Sequence, residues 1–154
     1  MKLVAIVFSL LLLVLTFKSN AQITDYNLEK LNNVNVQVMG NGLLSKKISQ
    51  KLETEIKLKL MSAGIKVVPE EEAKAIMLIE CDAIESNFAE HRIITMLSVS
   101  EKVITEREKK PETEALTYFD YSFYTSKDIE GATYDKVMDV MIIKFLESYL
   151  ASNQ

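Results

Sequence analysis

Cys81, His91, Ser98, Ser100 and the carboxylates of Glu70, Glu71, Glu72, Glu80 and Asp82 are the residues whose types could do chemistry. Cys81 is the only cysteine, so no intramolecular disulfide is available to it. It alternates with Met77, Ile79 and Ala83 and so falls on an apolar face, where a thiol is an inert small hydrophobe. His91 is the only histidine and stands beside Glu90. One imidazole with no second His or Cys nearby makes no zinc set, and a surface turn is its ordinary place. The carboxylates lack EF-hand spacing and a glycine-turned loop, so they read as a solvated charge cluster rather than a calcium site. Ser98 and Ser100 sit within a strand pattern, without a G-x-S-x-G elbow or a histidine placed to activate them. The four glycines form neither a P-loop nor a G-x-G-x-x-G fingerprint. The chain therefore reads as non-catalytic, and it calls for no metal and no cofactor.

A different feature stands out, and it is one of surface. From Leu116 to Thr125, Phe119, Tyr121 and Phe123 fall on one side of a strand and Tyr118 and Tyr124 on the other. That is more aromatic area than one layer of helices needs. Ordinary core and cross-strand pairing can absorb such a strand. The sharper reading is an interaction surface formed by Tyr118, Phe119, Tyr121, Phe123 and Tyr124, because contiguous exposed apolar area marks binding sites.

The elements that must position these residues begin with a βαβ unit from Val34 to Val68. Val34, Val36 and Val38 alternate with Asn35 and Gln37, the period of a half-buried strand. Leu44, Ile48, Leu52, Ile56 and Leu60 then recur at i+4 along one helix face. Gly64 stands where a C′ residue turns left-handed, with Ile65 placed to pack back on Leu60 as in a Schellman close. Ile65 to Val68 is a short β-branched strand ended by Pro69, and a crossover of this length makes the two strands parallel neighbours. Ala75 to Glu85 and Arg92 to Ile104 are strands joined by a turn at Asn87 to Glu90. The charged run Glu106 to Glu112 is a hairpin loop into Leu116 to Thr125. Thr133 reads as an N-cap with Asp135 in the first turn. Tyr134, Val137, Met138, Met141, Ile142, Phe145 and Tyr149 form the stripe of a closing helix. The order β-α-β-β-β-β-α predicts an α+β fold: a two-layer α/β sandwich, a five-stranded mixed sheet with two helices on one face and the other partly exposed.

The start of the chain sets the expected compartment. Lys2 is a positive n-region and Leu3 to Phe17 an apolar h-region; Ser19 and Ala21 are the small residues of a cleavage site before Gln22. Residues 1–21 therefore read as a signal peptide and 22–154 as a single domain. The alternative, an N-terminal membrane anchor, asks more of the apolar run than its length gives, and no transmembrane segment is expected after cleavage. No cysteine near the cleavage point offers a thiol for a lipid anchor. Losing Lys2 and Lys18 moves the net charge from −4 to −6. No basic stripe survives to neutralise phosphates, so nucleic-acid binding is not expected. A disulfide-free exported chain of this size fits the bacterial periplasm, with secretion as the alternative.

The run Leu31 to Val38, the Gly42-Leu43 entry and the exit Leu60-Met61-Ser62-Ala63-Gly64-Ile65-Lys66-Val67 resemble a family of small, uncharacterised exported bacterial proteins. The closing segment Lys144 to Asn153 is similar to that family's last helix. No catalytic or binding residue carries over from it. The element order is also similar to small α/β modules of the bacterial envelope, namely the lipopolysaccharide-assembly lipoprotein and the N-terminal domain of the Tol propeller protein. The functional expectation is a periplasmic envelope protein that binds or helps assemble another envelope protein. The alternative is a carrier of a small apolar, lipid-like ligand, with a pocket lined by Met138, Met141 and Phe145.

Overall fold

The computed structural model describes residues 28–87, 90–104 and 112–153. The expected signal peptide, the centre of the expected turn at Asn87 to Glu90 and the charged run before Glu112 lie outside the described residues. The elements are β1 (Asn33–Met39), α1 (Lys46–Ser62), β2 (Lys66–Val67), a 3₁₀ turn (Glu70–Glu72), β3 (Ala75–Asn87), β4 (Glu90–Ile104) and β5 (Glu112–Ser126). α2 (Ile129–Lys136) then runs through a π turn (Val137–Met141) into α3 (Ile142–Ser152). The five strands form one mixed sheet in the order β2-β1-β3-β4-β5. β1 pairs parallel with both β2 and β3, and β3-β4-β5 is an antiparallel meander. The expected α+β sandwich is the observed fold.

Alternation carries the strands. Val34 and Val36 are buried, while Asn35 and Gln37 face the other way. The asparagines hold the chain that crosses from β2 to β3: Asn35 Nδ2 donates to the Val68 carbonyl at 3.0 Å, and Asn33 Oδ1 accepts from the Lys74 amide at 2.8 Å. Across the meander, Met77, Ile79 and Cys81 on β3 and Ile93, Leu97 and Val99 on β4 point to one side and are buried. The alternation fails at one predicted place. Ala83 is exposed rather than apolar-facing like Cys81, at the point where β3 breaks register between Ala83 and Glu85.

Helix α1 begins at the N-cap Ser45, whose hydroxyl accepts from the Ile48 amide. Leu44 thus lies just ahead of the helix, buried against its end, rather than within its stripe. Leu52, Ile56 and Leu60 are fully buried. The helix closes as a Schellman motif: Ile65 N–H donates to Leu60 O and Gly64 N–H to Met61 O, each at 3.0 Å. Gly64 holds φ +88°, and Ile65 and Leu60 meet in the core.

The second helix starts earlier than its sequence suggests. Asp128 is the N-cap and accepts from the Gly131 amide at 3.0 Å. A Cβ on residue 131 would collide with that carboxylate, which accounts for the glycine. Thr133 is therefore not a cap: it lies inside α2 and is completely buried. Further along, Val137, Met141 and Phe145 repeat strictly every four residues and are all fully buried. On an ideal α-helix such a row drifts by about 40° per step. The π turn takes out that drift and keeps Phe145 facing the sheet, edge-on to Tyr118 at 5.1 Å between ring centroids. Lys59 Nζ on α1 donates to the Met138 carbonyl within the turn at 3.1 Å.

Gly64 tests the helix close. There is open space where a Cβ would go, so Gly64→Ala adds no clash and pays only for the left-handed backbone. The expected loss is about 1–2 kcal/mol, read as a lower urea midpoint at unchanged slope.

Candidate binding face

Helices α1, α2 and α3 pack on one face of the sheet, and the opposite face carries the aromatic strip. The β4–β5 register sets Ile94 opposite Phe123, Met96 opposite Tyr121 and Ser98 opposite Phe119. Phe119, Tyr121 and Phe123 are 38%, 55% and 60% exposed. Their rings form a staircase, with centroids 6.0 Å and then 5.4 Å apart. On β3, Ile76 and Leu78 continue the apolar surface, and Glu80 and Asp82 border it opposite Met96 and Ile94. The face grows polar toward β1, where Asn35 and Gln37 stand opposite Ile76 and Leu78.

The other two predicted surface residues belong to the interior. Tyr118 is 2% exposed and packs on Phe145, so it is core and not surface. Parity decides this: even-numbered residues from Tyr118 onward face the helices. Tyr124 also turns inward and is half-buried, with its hydroxyl 2.8 Å from Thr95 Oγ1 and 2.7 Å from Thr133 Oγ1. Thr133 Oγ1 in turn lies 3.6 Å from Cys81 Sγ. Burial raises the Tyr124 pKa above 10.0, and its hydrogen bonds to the two threonines partly offset this. This polar chain ties β3, β4, β5 and α2 together, and reading the sequence alone missed it. The available signal was Thr95, a hydroxyl at an inward position between Ile93 and Leu97.

The remaining candidates are dispersed. Cys81 is buried, and its Sγ lies beside the Thr133 hydroxyl at 3.6 Å rather than beside a base. His91 is half-exposed at the start of β4, opposite Ser86 and Ser126. Ser98 and Ser100 lie on the open face of β4, half-exposed. Glu70 accepts from Gln37 at 3.0 Å and Asp82 from Asn41 at 2.8 Å. Among the described residues no group of three His, Cys, Asp or Glu could hold a metal ion, and no helix is long and apolar enough to cross a membrane. Met138, Met141 and Phe145, expected to line a ligand pocket, are at most 3% exposed and belong to the core. A shallow apolar groove of about 570 Å³ lies elsewhere, on the outer side of α1 and α3, between Leu58, Lys59, Ser62, Ala63, Leu146 and Leu150.

The polar chain makes a thermodynamic cycle. Thr133→Val leaves the Tyr124 hydroxyl its bond to Thr95, for an expected cost of about 1 kcal/mol. Adding Thr95→Val strands that hydroxyl, and the double variant should lose more than the sum of the singles in urea denaturation. Because the folded pKa of Tyr124 is raised, its contribution is present below about pH 10 and fades as pH climbs through the folded value. Spectroscopic titration should find Tyr124 ionising at still higher pH in the double variant.

No family model and no curated protein matches the chain. Solved structures with a similar arrangement include a PelC dodecamer from Paraburkholderia phytofirmans, at 9% identity over 73% of this chain and 84% of that one, with a TM-score of 0.42. A minor lipoprotein from Acinetobacter baumannii shares 12% identity over 77% and 87%, TM-score 0.33. Rare lipoprotein B from Shewanella oneidensis shares 11% over 77% and 92%, TM-score 0.29. Two of the three are lipoproteins by name.

Proposed function

We propose that the protein is a non-catalytic, exported protein of the bacterial envelope that docks another envelope protein on its open sheet face. One observation carries the docking: Tyr121 and Phe123 stand more than half exposed in a row, flanked by Met96 and Ile94, on a face that no helix covers among the described residues. Aromatic rings held on a rigid strand supply contact area at little entropic cost, and they are the side chains that dominate interface energies. The acidic border at Glu80 and Asp82 favours a partner with an apolar centre and a basic rim. Export rests on the leader-like pattern of residues 1–21.

A carrier of a small apolar ligand is the second reading. Its support is the groove between α1 and α3, whose volume of about 570 Å³ falls in the range of small-molecule sites. The core residues Met138, Met141 and Phe145 would not take part.

Crosslinking in the native envelope, followed by capture on an affinity-tagged copy, tests the docking reading. Tyr121→Ala with Phe123→Ala should weaken the captured association at least about tenfold while the urea midpoint stays near that of the parent. Capture unchanged by the double variant sinks the aromatic-face version. Native mass spectrometry of protein from its own host separates the carrier: a lipid-like adduct lost in Leu146→Glu supports it, and the bare polypeptide mass opposes it.

A further inference from the structure

The backbone edge of β5 is a second surface, distinct from the open face and independent of what docks there. β5 is fifteen residues long and ends the sheet; among the described residues no strand lies beyond it. Edge strands are commonly guarded by lysine, proline, bulges or inward-pointing charges; Ala115 to Ser126 has no lysine or proline, and its guards are a bulge at Thr117 and one inward charge. Its single charge is Asp120, which points inward and lies 3.5 Å from Lys144 on α3. The other oxygen of that carboxylate accepts from the Tyr121 amide at 3.0 Å. Antiparallel strands alternate residues that bond inward with residues whose N–H and C=O face outward. On the other parity Thr117 Oγ1 reaches the Val99 carbonyl, which points toward β5. Tyr121 and Phe123 therefore present their backbone groups to the outer edge, and the Tyr121 amide is occupied by Asp120.

We propose that a second copy of this chain adds to this edge, β5 against β5 in antiparallel fashion about a two-fold axis at Tyr121, with Asp120 as the latch that must let go. The register makes the case. Setting Tyr121 opposite its symmetry mate places Phe119 opposite Phe123 of the other copy, an aromatic pair repeated by symmetry. Toward the start of β5, Thr117 is the extra residue of a bulge, since Val99 faces Tyr118 and Ser100 faces Leu116. With that bulge counted, Glu114 of one copy comes opposite Lys127 of the other. Both are exposed, so the acidic start of each strand meets the basic residue just past the end of its mate. Between them no outward charge opposes the pairing. An isologous dimer is the closed form that such self-complementary edges produce.

Sedimentation equilibrium of the purified protein across a concentration series reads the result. The parent should show a monomer–dimer equilibrium that Asp120→Ala tightens about tenfold, because the competing charge-assisted bond to the Tyr121 amide is gone. Glu114→Lys should weaken the dimer about fivefold through two symmetry-related like-charge contacts, and adding Lys127→Glu should restore it. These two positions are exposed, so the charge swap tests the register even if Asp120→Ala folds poorly. A monomer at every concentration up to about 1 mM overturns the proposal. So does a dimer indifferent to the charge swap, which would put the interface elsewhere.

Discussion

Packing the described helices on one face only of a pleated sheet turns strand parity into the governing constraint. A one-residue slip would move every inward side chain of a strand to the opposite face. Here that would carry Ile93, Leu97 and Val99 into solvent and bring Ile94, Met96 and Ser98 against the helices. The strands hold parity by different means. β1 is pinned on both sides, by β2 and β3. β4 and β5 absorb one surplus residue at Thr117 rather than shift their whole register. The π turn does the corresponding work in the helical layer, keeping the row Val137, Met141 and Phe145 over the sheet.

The same constraint explains which features were legible beforehand. β1 and α1 could be read from a two-residue and a four-residue period, and the close at Gly64 from a glycine followed by an isoleucine at C″. These are local signals with local partners. The start of the second helix was not legible, because Gly131-Ala132-Thr133 looks like a break followed by a cap. In fact the glycine makes room for the Asp128 carboxylate, and the threonine's partners are distant residues on the sheet. The fate of Tyr118 and Tyr124 required knowing which face the helices cover. Strand order, with β1 inside the sheet and β2 at its edge, depends on contacts that no single segment encodes.

The buried hydroxyls and thiol show how polar groups can serve a one-sided core. Tyr124, Thr95, Thr133 and Cys81 satisfy one another where the end of the helical layer meets the sheet. Each bond needs a specific partner geometry, so the chain orients α2 on the sheet more sharply than apolar packing alone would. Tyr134 reinforces this from the other side, donating to Glu55 and lying beneath the Lys51 ammonium, which fastens α2 to α1. Glu130 adds a third tie by accepting from the Ser45 amide, and the Ser45 hydroxyl together with that amide lowers its pKa.

The two ends of the sheet are unequal: β2 contributes two residues and β5 fifteen. In the language of polymerisation, the sheet has a functionality of one. A strand can be templated along β5, but the stub at β2 offers too short a ladder to template another. Growth edge to edge is therefore favoured along β5 over the short ladder at β2.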